Sequence, residues 1–194
     1  MLHPRGVLTV AATCFLALTA AVVTLGALPA DAALRDALLA LATPGVVAAM
    51  RVFNRAGDWR VLAPGVILLL VVFRRARARW WLWPGALAIA PLLEGALKHL
   101  VGRARPEDVS FGFPSGHSTA AATFFGMVVL LADELPGRAC AVVRGLALAM
   151  ILLVGVARVM LRAHWPSDVL AGIALGLALA AAAGWVASTP EPRD

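Results

Sequence analysis

The chain has 194 residues, 61% of them hydrophobic and only 14% charged, against about 25% charged in a soluble domain. This composition excludes an ordinary soluble globular domain, and the apolar residues fall in runs long enough to cross a bilayer. The formal net charge of +6 does not point to nucleic acid. The arginines stand between apolar runs rather than on one basic face, and no nucleic-acid motif accompanies them, so positive charge is expected to set topology and to bind an anion.

The first apolar run, residues 7–28, is long enough for a spanning helix. Arg5 precedes it, and Ala30-Asp31-Ala32 has the small-residue look of a signal cleavage site. Signal-peptide cores are only about 7–15 residues, so a retained helix is expected. Between this run and the next, Leu34, Leu38 and Leu41 keep helical spacing. They predict an amphipathic surface helix, which Pro44-Gly45 breaks in two. The run 59–73 is short and carries Pro64 and Gly65, so flanking aromatic and arginine residues must complete its span. The loop after it holds Arg74, Arg75, Arg77 and Arg79.

The run 80–101 opens on Trp80, Trp81 and Trp83, as interfacial belts do. Later runs cover 115–132, 139–159 and 168–187. Six transmembrane helices are therefore expected, in one membrane-embedded all-α domain over residues 1–194. Cys14 and Cys140 stand apart, without metal-ligand spacing, and are expected as buried small hydrophobes.

Three polar clusters interrupt these runs. Lys98, the one lysine in the chain, precedes Arg105-Pro106 by seven residues. That is close to two helical turns, so both cations share a face if the helix persists. Lysine offers a phosphate a compact charge, and arginine a planar fork. The plainer alternative is interfacial snorkelling with a Glu94–Lys98 ion pair at i,i+4. In Pro114-Ser115-Gly116-His117, Ser115 is placed to cap the next helix, whose first-turn N–H groups form an anion seat. Gly116 admits an oxyanion to the backbone, and His117 is placed to donate a proton. A capped helix with an interfacial histidine explains that cluster equally well. In Arg158…His164…Asp168, Asp168 can cap a helix. It can also accept from one nitrogen of His164 and leave the other a free lone pair.

Positive charge places the Arg74–Arg79 loop in the cytoplasm. Counting helices from there puts all three clusters together on the opposite, non-cytoplasmic face.

In order and spacing the clusters resemble the type 2 phosphatidic acid phosphatase (PAP2) superfamily of membrane lipid phosphatases, whose active site is related to that of vanadium haloperoxidases. The family pattern is K-x6-R-P, P-S-G-H and S-R-x5-H-x3-D; here Ala157 replaces the serine. The resemblance implies a haloperoxidase-like helical bundle core. It implies His164 as the nucleophile forming a phosphohistidine, Asp168 as its orienter and His117 as the proton donor. Lys98, Arg105, Ser115, Gly116 and Arg158 then bind the phosphoryl oxygens. The expected substrate is a membrane lipid phosphate or polyprenyl diphosphate. Three cations can stabilise the transferring phosphoryl group, and no carboxylate cluster has hard-metal spacing. No metal or cofactor is therefore expected. Arg103 and Arg162 are candidates for a second phosphate, or for solvated headgroup contacts; that second phosphate tilts the expectation toward a diphosphate. Glu94 is expected to tether Lys98, and His99 to make an interfacial hydrogen bond. A soluble haloperoxidase is disfavoured by the six spans. A lipid-phosphate-binding protein or transporter without catalysis would not need His117, His164 and Asp168 together.

Overall fold

Where prolines precede apolar runs the chain turns into helix, because proline fixes φ and lacks an N–H that the first turn cannot use. Pro4, Pro29, Pro44 and Pro166 each open one. The computed structural model describes residues 3–189. Its helices are α1 (Pro4–Leu25), α2 (Pro29–Ala40), α3 (Pro44–Arg55), α4 (Trp59–Val72), α5 (Arg74–Ala78), α6 (Leu82–Val101), α7 (Gly116–Leu131), α8 (Gly137–Met160) and α9 (Pro166–Ser188). The all-α expectation holds, and all six apolar runs are helical.

Length and composition alone do not confirm six spans. By length and composition α1, α8 and α9 can each cross a membrane. The α2–α3 pair, bent by 116° at its break, adds a fourth if it is one broken span. Helices α4 and α7 have 14 and 16 residues, about 21 and 24 Å at 1.5 Å per residue, which is less than a hydrocarbon core. Helix α6 is long enough, but its last two turns carry Glu94, Lys98 and His99. Polar site residues have been built into what would be the end of a span.

The outer surface suits lipid. Val10, Leu16, Ile67, Leu68, Leu92, Leu146 and Leu152 are exposed on α1, α4, α6 and α8. Trp59 and the Trp80–Trp81 pair are exposed toward opposite ends of the bundle, where interfacial tryptophans belong. Cys14 is also exposed and Cys140 partly so, contrary to their expected burial; both lie on outward helix faces.

Helix α9 runs through the middle, packed along α7 on one side and α1 on another. Small residues make the first contact possible. A Cβ on Gly172 would lie 2.6 Å from the Ser115 carbonyl oxygen, and one on Gly176 would collide with that of Thr119. A Cβ on Gly126 of α7 would stand 2.9 Å from that of Ala180. In lipid, where helices gain little by hiding from water, such close approach supplies the dispersion that holds them together.

The main apolar core, with Leu69, Phe73, Trp83, Met127 and Ala183, fills the end that holds α5. There Glu134 accepts the Arg74 and Arg75 backbone N–H groups at 2.8 and 3.0 Å, capping α5. At the other end Met50 of α3 packs on Ala157 and Met160 of α8, with Leu38 of α2 beside them.

Candidate active site

All three polar clusters converge at the end opposite α5. The second half of α6, the end of α8, the first turns of α7, the start of α4, the loop carrying Arg105 and the segment between α8 and α9 line a cavity of about 400 Å³. Lys98, Arg105 and Arg158 line it together with Gly116, His117 and His164. Leu62, Leu87 and Pro91 form an apolar wall on the α4–α6 side.

Arg105 arrives by a route other than the one expected. The helix does not persist to it: Gly102, at φ +65°, ends α6 with its N–H on the Lys98 carbonyl at 2.9 Å, the left-handed stop that glycine allows. The chain then doubles back. The Arg105 N–H donates to the Ser110 carbonyl at 3.1 Å and the Gly112 N–H to that of Arg103 at 2.7 Å. This narrow loop points Arg105 into the cavity. The Nε groups of Arg105 and Arg158 are buried without a hydrogen-bond partner among the described residues. Buried donors of that kind are costly unless something accepts from them, and a phosphoryl oxygen can.

Arg158 is held from α3, where the Asn54 amide oxygen accepts from its Nη1 at 2.9 Å. His117 sits on the first turn of α7 beneath Gly57, where a Cβ would lie 2.8 Å from the His117 carbonyl oxygen. Asp58 caps α4 by accepting the Arg60 N–H at 2.9 Å and lines the same cavity.

His164 lies between α8 and α9 and is 1% exposed. Its Nδ1 is 3.5 Å from Asp168 Oδ2, within ion-pair range but not a formed hydrogen bond. Catalytic contacts are often loose before substrate enters. Burial pushes the imidazole below its ordinary value; Asp168 opposes that shift and Arg158 adds to it. Near neutral pH the His164 imidazole is therefore uncharged.

Behind His164 stands a second group of charges. Arg103 Nη1 donates to Asp168 Oδ1 at 2.8 Å and to Ser167 Oγ at 2.6 Å, while Nη2 donates to Asp31 Oδ2 at 2.6 Å. Asp31 also accepts from the Ser167 backbone and hydroxyl at 2.8 and 2.7 Å. Arg103 is thus committed to carboxylates and unavailable to a second phosphate. Arg162 pairs instead with Glu107, at 2.9 Å, on the exposed rim, and Arg35 joins the same carboxylate. The Arg162 contact, foremost, holds the Glu107 carboxyl below its usual value. The structural ground for preferring a diphosphate therefore falls away.

The remaining expected residues are placed as follows. Ser115 precedes α7, but its hydroxyl caps no backbone group; it accepts from Ser118 Oγ at 3.0 Å and is fully buried. Glu94 pairs with Lys98, and a Cβ on Gly116 would lie 2.7–2.9 Å from the Glu94 carboxyl group. The acid therefore lies across the first turn of α7. The His99 ring meets Phe111 edge-on, with centroids 5.7 Å apart. Ala157 is buried among Met50 and Met160, where a hydroxyl would face methionine. Asp31, Asn54, Gly57 and Asp58 were not singled out for the site. Their only signal was that polar residues and a glycine punctuate the segment between the first two runs.

Comparisons with known proteins follow the same line. The family described as PAP2 superfamily matches residues 79–190. Lipid A 1-phosphatase of Rhizobium etli is 36% identical over 115 residues, 48% of this chain and 46% of that enzyme, so the match spans less than half of that relative. Decaprenylphosphoryl-5-phosphoribose phosphatase of Mycobacterium tuberculosis is 31% identical over 155 residues, 71% of this chain and 78% of that one. Among solved structures, the transmembrane PAP2 type phosphatidylglycerolphosphate phosphatase of Bacillus subtilis superposes with a TM-score of 0.75 at 27% identity, covering all of both chains.

Proposed function

The chain belongs to the PAP2 superfamily, and from that premise we propose that it is a membrane enzyme that hydrolyses a lipid phosphate through a phosphohistidine. The observation that carries this is the convergence of Lys98, Arg105 and Arg158 on one cavity with His117 and the Asp168-backed His164. Lys98, Arg105, Arg158 and the Gly116 backbone hold the phosphoryl oxygens, and Ser115 supports that turn from beneath. His164 Nε2 attacks phosphorus; a P–N bond forms as the bond to the lipid oxygen breaks, and His117 gives that oxygen its proton. Water then attacks the phosphohistidine, losing its proton to His117, and inorganic phosphate leaves. The three cations supply the charge that a metal supplies elsewhere.

The substrate's tail stays in the bilayer, because the cavity has an apolar wall and only a short loop above it. A lipid phosphomonoester fits best, since Arg103 and Arg162 are taken by carboxylates. The relatives' named activities on lipid A 1-phosphate and on phosphatidylglycerolphosphate support that class. The site faces away from the cytoplasm, for Arg74, Arg75, Arg77 and Arg79 gather at the opposite end.

The test is phosphate release by the purified protein in detergent with EDTA. Phosphatidylglycerophosphate, phosphatidate and undecaprenyl diphosphate are compared, with His164→Ala alongside. Release by the wild type alone is expected, with a monoester preferred. No release from any of the three, or equal release by the variant, overturns the proposal. Activity that is lost in EDTA and restored by magnesium overturns its metal-independent part.

A further inference from the structure

Two charged residues that no motif requires sit directly behind the nucleophile. Asp31 lies on the first turn of α2, Arg103 follows the end of α6, and Asp168 lies on the first turn of α9. All three side chains are buried, none more than 8% exposed. We propose that Arg103 and Asp31 are positioning residues for catalysis, fixing the Asp168 carboxylate and through it the ring of His164. This rests on His164 being the nucleophile of the preceding section.

The geometry leaves Asp168 little freedom. Its Oδ1 accepts from Arg103 and its Oδ2 from the Trp165 N–H at 3.0 Å, so rotation of the carboxylate would break one bond or the other. Arg103 cannot follow such a rotation, because its second nitrogen is held by Asp31. Asp31 in turn is fixed by two donors from Ser167, the residue beside Asp168. The loop closes on itself, and a buried network in which every member has a partner is rigid. The oxygen left facing His164 is Oδ2, 3.5 Å from Nδ1.

The network also sets the charge behind the imidazole. Two carboxylates and one guanidinium leave a single net negative charge there. Across the cavity, His164 is faced by Arg158 from α8, Arg105 from the loop and His117 from α7, with Lys98 and Glu94 of α6 on the same wall. Arg103 therefore restrains how strongly Asp168 favours the imidazolium, and Asp31 restrains Arg103 in turn.

Opposite signs make this testable. Wild type, Arg103→Lys, Arg103→Gln and Asp31→Asn are assayed on phosphatidylglycerophosphate micelles from pH 4.5 to about 8, the range that brackets histidine titration. Thermal melting verifies that each variant is folded. Arg103→Lys keeps the charge but loses the fork, so kcat falls roughly tenfold to a hundredfold, as for other groups that orient a reacting ligand. Its KM and the acid limb of kcat/KM stay in place. Arg103→Gln moves the acid limb up and Asp31→Asn moves it down, each by roughly half a pH unit or more. Should kcat survive in Arg103→Lys, or both limbs stay put or move together, the two residues only support the fold and the proposal is overturned. An active wild type with a dead His164→Ala shows in the same assay that such a failure belongs to the positioning idea alone. An inactive wild type overturns both.

Discussion

Arg103 and Arg105 stand two residues apart in the same loop and end in opposite circumstances. Arg103 turns inward, spans two carboxylates and a serine, and spends its donors on the protein. Arg105 turns into the cavity, where its Nε has no hydrogen-bond partner among the described residues. What separates a strut from a ligand-binding group is the countercharge each meets. A buried guanidinium answered by aspartates is a fixed part of the structure, while one that shares a cavity with two other cations and keeps an unpaired donor is held ready for an anion.

The largest expected effects break the cavity side of this comparison. Arg105→Ala and Arg158→Ala should each lower kcat/KM by about 10²–10³, the usual cost of losing a donor that stabilises transition-state charge. A loss below tenfold in steady-state kinetics would remove either residue from the phosphate site. Glu94→Gln comes next. Without the carboxylate Lys98 loses the partner that places it, so activity should fall by roughly tenfold, mainly through KM. An unchanged KM would mean that the pair does no organising.

The pH profile sharpens the comparison from the nucleophile's side. Burial, and then the arginine across the cavity, disfavour the protonated ring of His164. The neutral ring therefore persists as pH falls, and with His164 as the proposed nucleophile the acid limb of wild-type kcat/KM should lie below about 6.5, the ordinary histidine value. A limb at or above that value would contradict the electrostatics. The smallest effect is expected at the rim. Arg162 and Glu107 pair in solvent, and exposed pairs contribute little. Arg162→Gln should leave kinetics and melting temperature unchanged, whereas a marked KM rise would make Arg162 a headgroup contact.

The helical runs were legible because lipid-facing surface needs unbroken apolar sequence, and α1, α8 and α9 lie close to the predicted positions. The three clusters were legible because each packs its chemistry into a short stretch. The fates of Arg103 and Arg105 were not. Nothing near Arg103 in the chain announces that Asp31, 72 residues earlier, will meet it, and Asp31 itself sits in a tripeptide that looks like a cleavage site. Asn54 was hidden for the same reason, its partner Arg158 lying 104 residues on. The path of Arg105 was misjudged because one glycine at positive φ outweighs a favourable heptad spacing. The six spans are not confirmed by length and composition, because hydropathy along a sequence does not separate a lipid-facing helix from a short one such as α7, largely buried in the bundle.

The glycine seam between α7 and α9 has a mechanical consequence. His117, the proposed proton donor, rides on the first turn of α7, and Asp168, the proposed orienting acid, on the first turn of α9. Gly172 brings those turns so close that one α9 backbone atom rests against the carbonyl preceding the donor's helix. Donor and acid are thus mounted on a single stiff block, and their separation is set by backbone against backbone rather than by adjustable side chains. One added methyl at Gly172 or Gly176 would shift the two mountings, far from any reacting atom. The tolerance of the machine is cut into its frame.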